Sequence, residues 1–249
     1  MQSRKIVFCN YIIKYQRCPV ARLQLARIVP TGFTNIMQMN PPTAAPLITP
    51  GFTARERQRA GELFWQAFGG KLAPLLAPEP KAIAFLSRAL CPNQALAARA
   101  PDGRILGLCG LRTDGGGLFG GSLRDMAGIY GWTGAPWRWA FLSRLDRPCA
   151  PGTGLIDGLF VAEEIRDRGI GSALLQAAKA WARQADLHNV QLDVAVHNRR
   201  ARALYSRHGF VETGVTRAGS PRRLLGLPRV IEMRCDLVPA PGVCRTAAN

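Results

Sequence analysis

Acidic residues are scarce in this chain. Sixteen Asp and Glu stand against 33 Lys and Arg, a formal net charge of +17, and the first acidic side chain is Glu56. That imbalance admits nucleic acid, a membrane surface or an acidic ligand as a partner. However, 28 of the basic residues are Arg, and they are scattered rather than gathered in runs of five or six. No nucleic-acid-binding arm is signalled, and nucleic acid is disfavoured as a partner. No run of eighteen apolar residues occurs, so no segment reads as a transmembrane helix and no membrane partner is expected. The seven cysteines (Cys9, Cys18, Cys91, Cys109, Cys149, Cys235, Cys244) form no CxxC and have no histidine at zinc-ligand spacing. No metal site is expected from them, and an odd count does not suit a disulfide framework. They read as reduced thiols of a cytoplasmic protein.

Two phosphate-binding signatures are also missing. The stretch "RDRGIGSALLQAAKAW", Arg166 to Trp181, puts Gly169 and Gly171 at the opening of an amphipathic run. A P-loop needs Gly-Lys-Ser/Thr, but Ser172 follows Gly171 directly. A dinucleotide fingerprint needs a third glycine where Leu174 stands. What remains is a helix start with bare backbone. Such a start offers four unpaired N–H groups and the positive end of a dipole, hence an anion site. Arg166 and Arg168 add charge in front of it. Ile170, Ala173, Leu174, Ala177, Ala178 and Trp181 lie on one face behind it.

Around this stretch the chain reads as a mixed α/β domain over 47–237. Residues 1–46 look like a basic appendage, with Met37 or Met39 as an alternative initiator, and 238–249 like a tail. "LIT" at 47–49 is strand-like, and Thr53-x-x-Glu56 is a capping box. Ala60, Leu63, Phe64, Ala67 and Phe68 then make a helix face, which Gly69-Gly70 is expected to stop. A second helix, broken by Pro78 and Pro80, is expected to run to about Leu90. Strands are expected at 95–100 and 104–112 around the turn Pro101-Asp102-Gly103. Further strands are expected at 155–161 and 190–196, a short helix at 199–208, and two closing strands. An aromatic-rich insertion spans 115–150.

A second motif lies downstream. In "HNRRARALYSRHGF", Asn198 suits an N-cap. Ala201, Leu204, Tyr205 and His208 share a helix face, and Gly209 suits a left-handed terminator. The pair of motifs, Arg166-x-x-Gly169-x-Gly171 and then Asn198-x-x-Ala201-x-x-Leu204-Tyr205-x-x-x-Gly209-Phe210, resembles the GNAT acetyltransferase superfamily. The specific similarity covers about 154–215.

That resemblance implies a mixed, mostly antiparallel sheet with a splayed central parallel pair, flanked by helices. It implies acetyl-CoA as cosubstrate and no metal. Backbone near Phe160 and Val161 is expected to pair with the pantetheine arm. The N–H groups of Arg168, Gly169, Ile170, Gly171, Ser172 and Ala173 are expected to cradle the pyrophosphate, with Arg166 and Arg168 adding charge, and Asn198 is expected among the cofactor-binding residues. Val161 N–H is the expected oxyanion donor and Tyr205 the general acid. Family members that use a carboxylate base often carry it where this chain has Leu155. Asp157 lies on the same strand face. It is read either as the base or as a partner of an arginine or of backbone at a bulge near Gly158. The implied reaction is acetyl transfer to a primary amine of a small molecule or peptide by direct attack. The alternative is a non-catalytic acyl-CoA sensor. The acceptor elements are expected in 53–90 and 115–150. Tyr130, Trp132, Trp137 and Trp139 are read as a pocket wall, as core of an inserted helix, or as the contact of a homodimer.

Overall fold

The computed structural model describes residues 46–145, 149–216 and 229–237. The expectations for the N-terminal extension and the C-terminal tail fall outside them. Strand β1 (Leu47–Pro50) pairs antiparallel with β2 (Ala95–Arg99), which forms a hairpin with β3 (Ile105–Arg112). The turn residues behave as their types require: Gly103 has φ of 85°, and the Asp102 carboxylate accepts the Arg104 N–H at 2.9 Å.

Between β1 and β2 lie α1 (Arg57–Leu76) and α2 (Glu79–Ala89). Thr53 donates its N–H to the Glu56 carboxylate at 2.7 Å, and Arg99 of β2 pairs with that same carboxylate. The Arg99 hydrogen bond is the main cause that holds the Glu56 carboxyl down to about 2. The helix does not stop at Gly69-Gly70. Gly69 is buried, and a Cβ there would lie 2.8 Å from the Trp65 indole, so this glycine permits close packing within a continuing helix. The helix runs on through Pro74 because Leu75 and Leu76 are buried against α2 and the next helix. Pro80 occupies the first turn of α2, where its missing N–H costs nothing, and so begins that helix rather than breaking it.

Among the described residues of the 115–150 insertion lies a kinked helix, α3 (Leu123–Leu145), bent at Gly131 where φ is 73° and ψ is 163°. Ser122 and Asp125 cap its start reciprocally, with Ser122 N–H to Asp125 at 2.9 Å and Asp125 N–H to Ser122 Oγ at 3.1 Å. Met126, Ala127 and Ala135 bury it against α1 and α2.

The second half supplies β4 (Thr153–Val161), α4 (Ile170–Gln184), β5 (Asn189–Ala195), α5 (Arg199–Arg207), β6 (Val211–Thr216) and β7 (Val230–Asp236). The seven strands of the described residues order as β1-β2-β3-β4-β5-β7-β6, with β4–β5 the parallel pair and every other neighbour antiparallel. One sheet face packs on α4 through Ile156, Leu192, Val194 and Leu174. The other packs on α1 through Leu63, Leu108 and Phe160, with Phe64 and Phe68 against them. No helix among the described residues is long and apolar enough to cross a membrane.

Candidate active site

The central strands part company halfway along. Parallel pairing of β4 with β5 runs from Thr153↔Asn189 to Ile156↔Leu192 and ends there, while β4 continues to Val161 and β5 to Ala195. Each strand keeps its outer neighbour, Val161 opposite Gly107 and Ala195 opposite Val230. The sheet therefore opens as a fork.

The direction of the backbone in the fork follows from antiparallel alternation. Ala162 N–H donates to the Leu106 carbonyl at 2.8 Å. Alternate residues of β4 then bond to β3, which turns Phe160 toward Leu108 and turns Leu159 and Val161 into the fork. Of the two residues named for the pantetheine arm, Val161 faces the opening. Phe160 has its backbone in the ladder, and its buried ring sits against Phe64 and Phe68, with centroids 5.6 and 5.8 Å away.

Beyond Val161 the chain turns through a short 3-10 segment, Glu163–Ile165, into the glycine loop. Arg166 Nε donates to the Val161 carbonyl at 3.4 Å, and Arg166 Nη1 pairs with Glu163 at 3.2 Å. Asp167 has φ of 69° and forms an ion pair with Arg200 at the start of α5, so the loop is tied to the second motif. Gly169 caps α4 with φ of 76° and ψ of −3°, the left-handed region, and open space lies where a Cβ would project. Ala173 N–H is already given to the Gly169 carbonyl at 3.0 Å, so it is not available to a ligand. Among the described residues, the N–H groups of Arg168, Gly169, Ile170, Gly171 and Ser172 have no backbone acceptor. Arg168 is exposed beside them. Asn198 caps α5, its Oδ1 accepting Ala201 N–H at 3.1 Å.

Tyr205 is carried by α5 and is 8% exposed, its ring 6.0 Å from Phe210. It shares a core cluster with Cys109, Ile156 and Leu192, and Leu159 and Val161 pack against that cluster. Tyr205 thus belongs to the buried cluster against which the two fork residues of β4 pack. Burial pushes it well above the ordinary tyrosine range, with the neighbouring Cys109 adding to the effect. Burial also pushes the Cys109 thiol up to about 12, and Asp157 contributes.

Asp157 lies at a β-bulge. Gly110 pairs with Gly158 and Leu111 with Ile156, which leaves Asp157 as the extra residue of β4. Its Oδ1 accepts Arg112 Nε at 2.7 Å and its Oδ2 accepts the Leu118 N–H at 3.0 Å. Asp157 is thus paired both with an arginine and with backbone at the bulge. Nothing in the sequence named Arg112 as its partner. The two are 45 residues apart, and their meeting depends on strand register.

On the acceptor side, Tyr130 donates its hydroxyl to the Leu76 carbonyl. Arg138 lies over both Tyr130 and Trp137, at 4.5 and 4.3 Å from the ring centroids. Those faces already hold a cation of the chain itself. Trp132 is 68% exposed at the kink.

A family model described as "Acetyltransferase (GNAT) family" matches residues 61–210. The "Uncharacterized N-acetyltransferase YhfO" of Bacillus subtilis (strain 168) is 40% identical over 58 residues, 23% of this chain and 39% of that protein. An N-alpha-acetyltransferase of Sulfurisphaera tokodaii is 38% identical over 80 residues, 32% of this chain and 48% of that protein. The chain spans less than half the length of these two relatives. A solved structure named "The crystal structure of acetyltransferase" shares the fold with a TM-score of 0.53 at 21% identity, covering 77% of this chain and 100% of that one.

Proposed function

This chain belongs to the GNAT acetyltransferase family, and we propose that it transfers the acetyl group of acetyl-CoA to a primary amine of a small molecule or peptide. The observation that carries the reading is the fork: β4 and β5 separate after Ile156↔Leu192, with Val161 facing the gap, the glycine loop at its end and Tyr205 in the buried cluster against which Val161 packs. An extended arm laid along β4 replaces the missing strand partner at Leu159 and Val161. The free N–H groups from Arg168 to Ser172, with the open side of Gly169, fit a diphosphate at the helix start.

The chemistry assigned to these residues needs no covalent intermediate on the protein. The amine nitrogen bonds to the thioester carbon, the carbon–sulfur bond breaks, and the amine loses one proton to solvent or a base. Val161 N–H donates to the oxygen where negative charge develops. Tyr205, kept protonated by burial, donates to the departing thiolate. Arg166 and Arg168 balance the charge of the diphosphate.

The test is release of free thiol from acetyl-CoA over a panel of small amines, amino acids and peptides. Turnover with one class of amine supports the reading. Binding of acetyl-CoA with no turnover across the panel identifies an acyl-CoA-binding module instead, and absence of binding overturns both.

A further inference from the structure

The β4 bulge changes which way the strand faces. Ile156 belongs to the α4 side of the sheet, whereas Phe160, four residues on, belongs to the α1 side. In an uninterrupted strand these two point the same way. The extra residue at Asp157 reverses the phase, and the backbone reverses with it. Val161 N–H faces the fork only because of that reversal; without it, the fork receives the N–H of Phe160 instead.

Asp157 is gripped from two directions. Arg112 holds it from β3 at 2.7 Å, and the Leu118 N–H holds it from the connection to α3 at 3.0 Å. The ion pair is largely enclosed, with side chains 10% and 17% exposed. Gly117 closes the grip: a Cβ there would lie 2.4 Å from Asp157 Oδ2 and 2.7 Å from Arg112 Nε. Leu118 in turn is 1% exposed and sits on Gly110, where a Cβ would meet its Cδ2 at 2.4 Å.

We propose that Arg112, Asp157 and the Gly117–Leu118 backbone form a clamp that fixes the β4 bulge and so aims the Val161 N–H at the reacting carbonyl. Asp157 is then a positioning residue, acting through Val161, and not the proton acceptor. This inference rests on the acetyltransferase reading of the fork. It also gives the segment leading into α3 a direct mechanical hold on the site.

Three variants separate the possibilities: Asp157→Asn, Asp157→Ala and Gly117→Ala. Asn keeps a side-chain oxygen for the Leu118 N–H, whereas Ala removes both contacts. Gly117→Ala crowds the clamp while leaving the carboxylate at 157 in place. The expected result is a loss of about 100-fold in kcat for Asp157→Ala and Gly117→Ala, the scale of losing an oxyanion donor. Asp157→Asn stays within about tenfold of the parent, and all three keep the parental pH–rate shape. If Asp157 is the base, Asn is as damaging as Ala and the acidic limb of the profile disappears; that pattern overturns the clamp. Amide NMR reads the same question without turnover. The Val161 and Leu118 N–H resonances shift in Asp157→Ala and not in Asp157→Asn, and an unmoved Val161 resonance overturns the proposal. A parent protein that neither binds nor cleaves acetyl-CoA instead sinks the acetyltransferase reading.

Discussion

Arg166 donates from Nε to the carbonyl of Val161 at 3.4 Å, so the first side chain of the glycine loop is fastened to the last residue of β4. Its guanidinium reaches Glu163 with the other nitrogen. The residue holds the loop against the strand, and in the proposed reading it also brings charge toward the diphosphate. Removing both in Arg166→Ala is expected to raise the KM for acetyl-CoA about tenfold and to leave kcat within about threefold, the signature of lost uniform binding. Arg166→Lys keeps charge but has no Nε–H to reach the carbonyl, and falls between. Steady-state kinetics with varied acetyl-CoA check both.

Gly169 holds a left-handed backbone that a side chain resists at about 1–2 kcal/mol. Nothing lies within 4 Å of the position a Cβ would take, so Gly169→Ala introduces no internal clash. The expected outcome is a modest drop in thermal midpoint, about 2–4 °C for each kcal/mol in a chain of this size. A clear loss of coenzyme A affinity by calorimetry is expected beside it. A drop in midpoint with unchanged affinity places the diphosphate elsewhere.

Tyr205 titrates well above the normal tyrosine range because it is buried. A donor must be protonated to act, and raising its pKa extends the protonated range upward. No alkaline fall in kcat from this group is expected across the usual assay range. Tyr205→Phe should lower kcat by a similar factor at every pH, about 10²–10⁴-fold for a lost acid. A variant that keeps full turnover, or loses it only at high pH, contradicts the assignment.

The Glu56–Arg99 pair makes the fold sensitive to acid. Glu56 is held down to about 2 in the folded protein, below its free value of 4.5. A depressed carboxyl contributes stability that is fully present above the free value and is lost as pH falls toward 2. The thermal midpoint of Glu56→Gln should lie below that of the parent at pH 7, and the two should converge as pH drops from about 4.5 to 2. A gap that is independent of pH shows that the pair is not the source.

Local chemistry made much of this site legible before any coordinates. Gly169 and Gly171 before an amphipathic run, and Asn198 seven residues before Tyr205, are short-range patterns, and α4 and α5 form where those patterns place them. The Pro101-Asp102-Gly103 hairpin and the Thr53–Glu56 cap are equally local. What escaped depends on contacts between distant segments. The continuation of α1 past Gly69-Gly70 follows from the Trp65 ring and from the burial of Leu75 and Leu76. The Ser122–Asp125 cap, by contrast, is a local signal for the start of α3. The Arg112–Asp157 pair needs the register of β3 on β4, including its slip at Gly110 and Leu111, which no one-dimensional pattern announces.

The fork also bears on how the protein endures. An unpaired run of strand is normally found at the rim of a sheet, where a passing chain can add to it. Here the open run of β4 lies in the middle, between β3 and β5. A guest seated along it acts as a temporary eighth ribbon, and any such guest stabilises the folded form by mass action. If acetyl-CoA is the guest, as proposed, the molecule's resistance to heat and proteolysis should therefore rise and fall with the supply of that thioester.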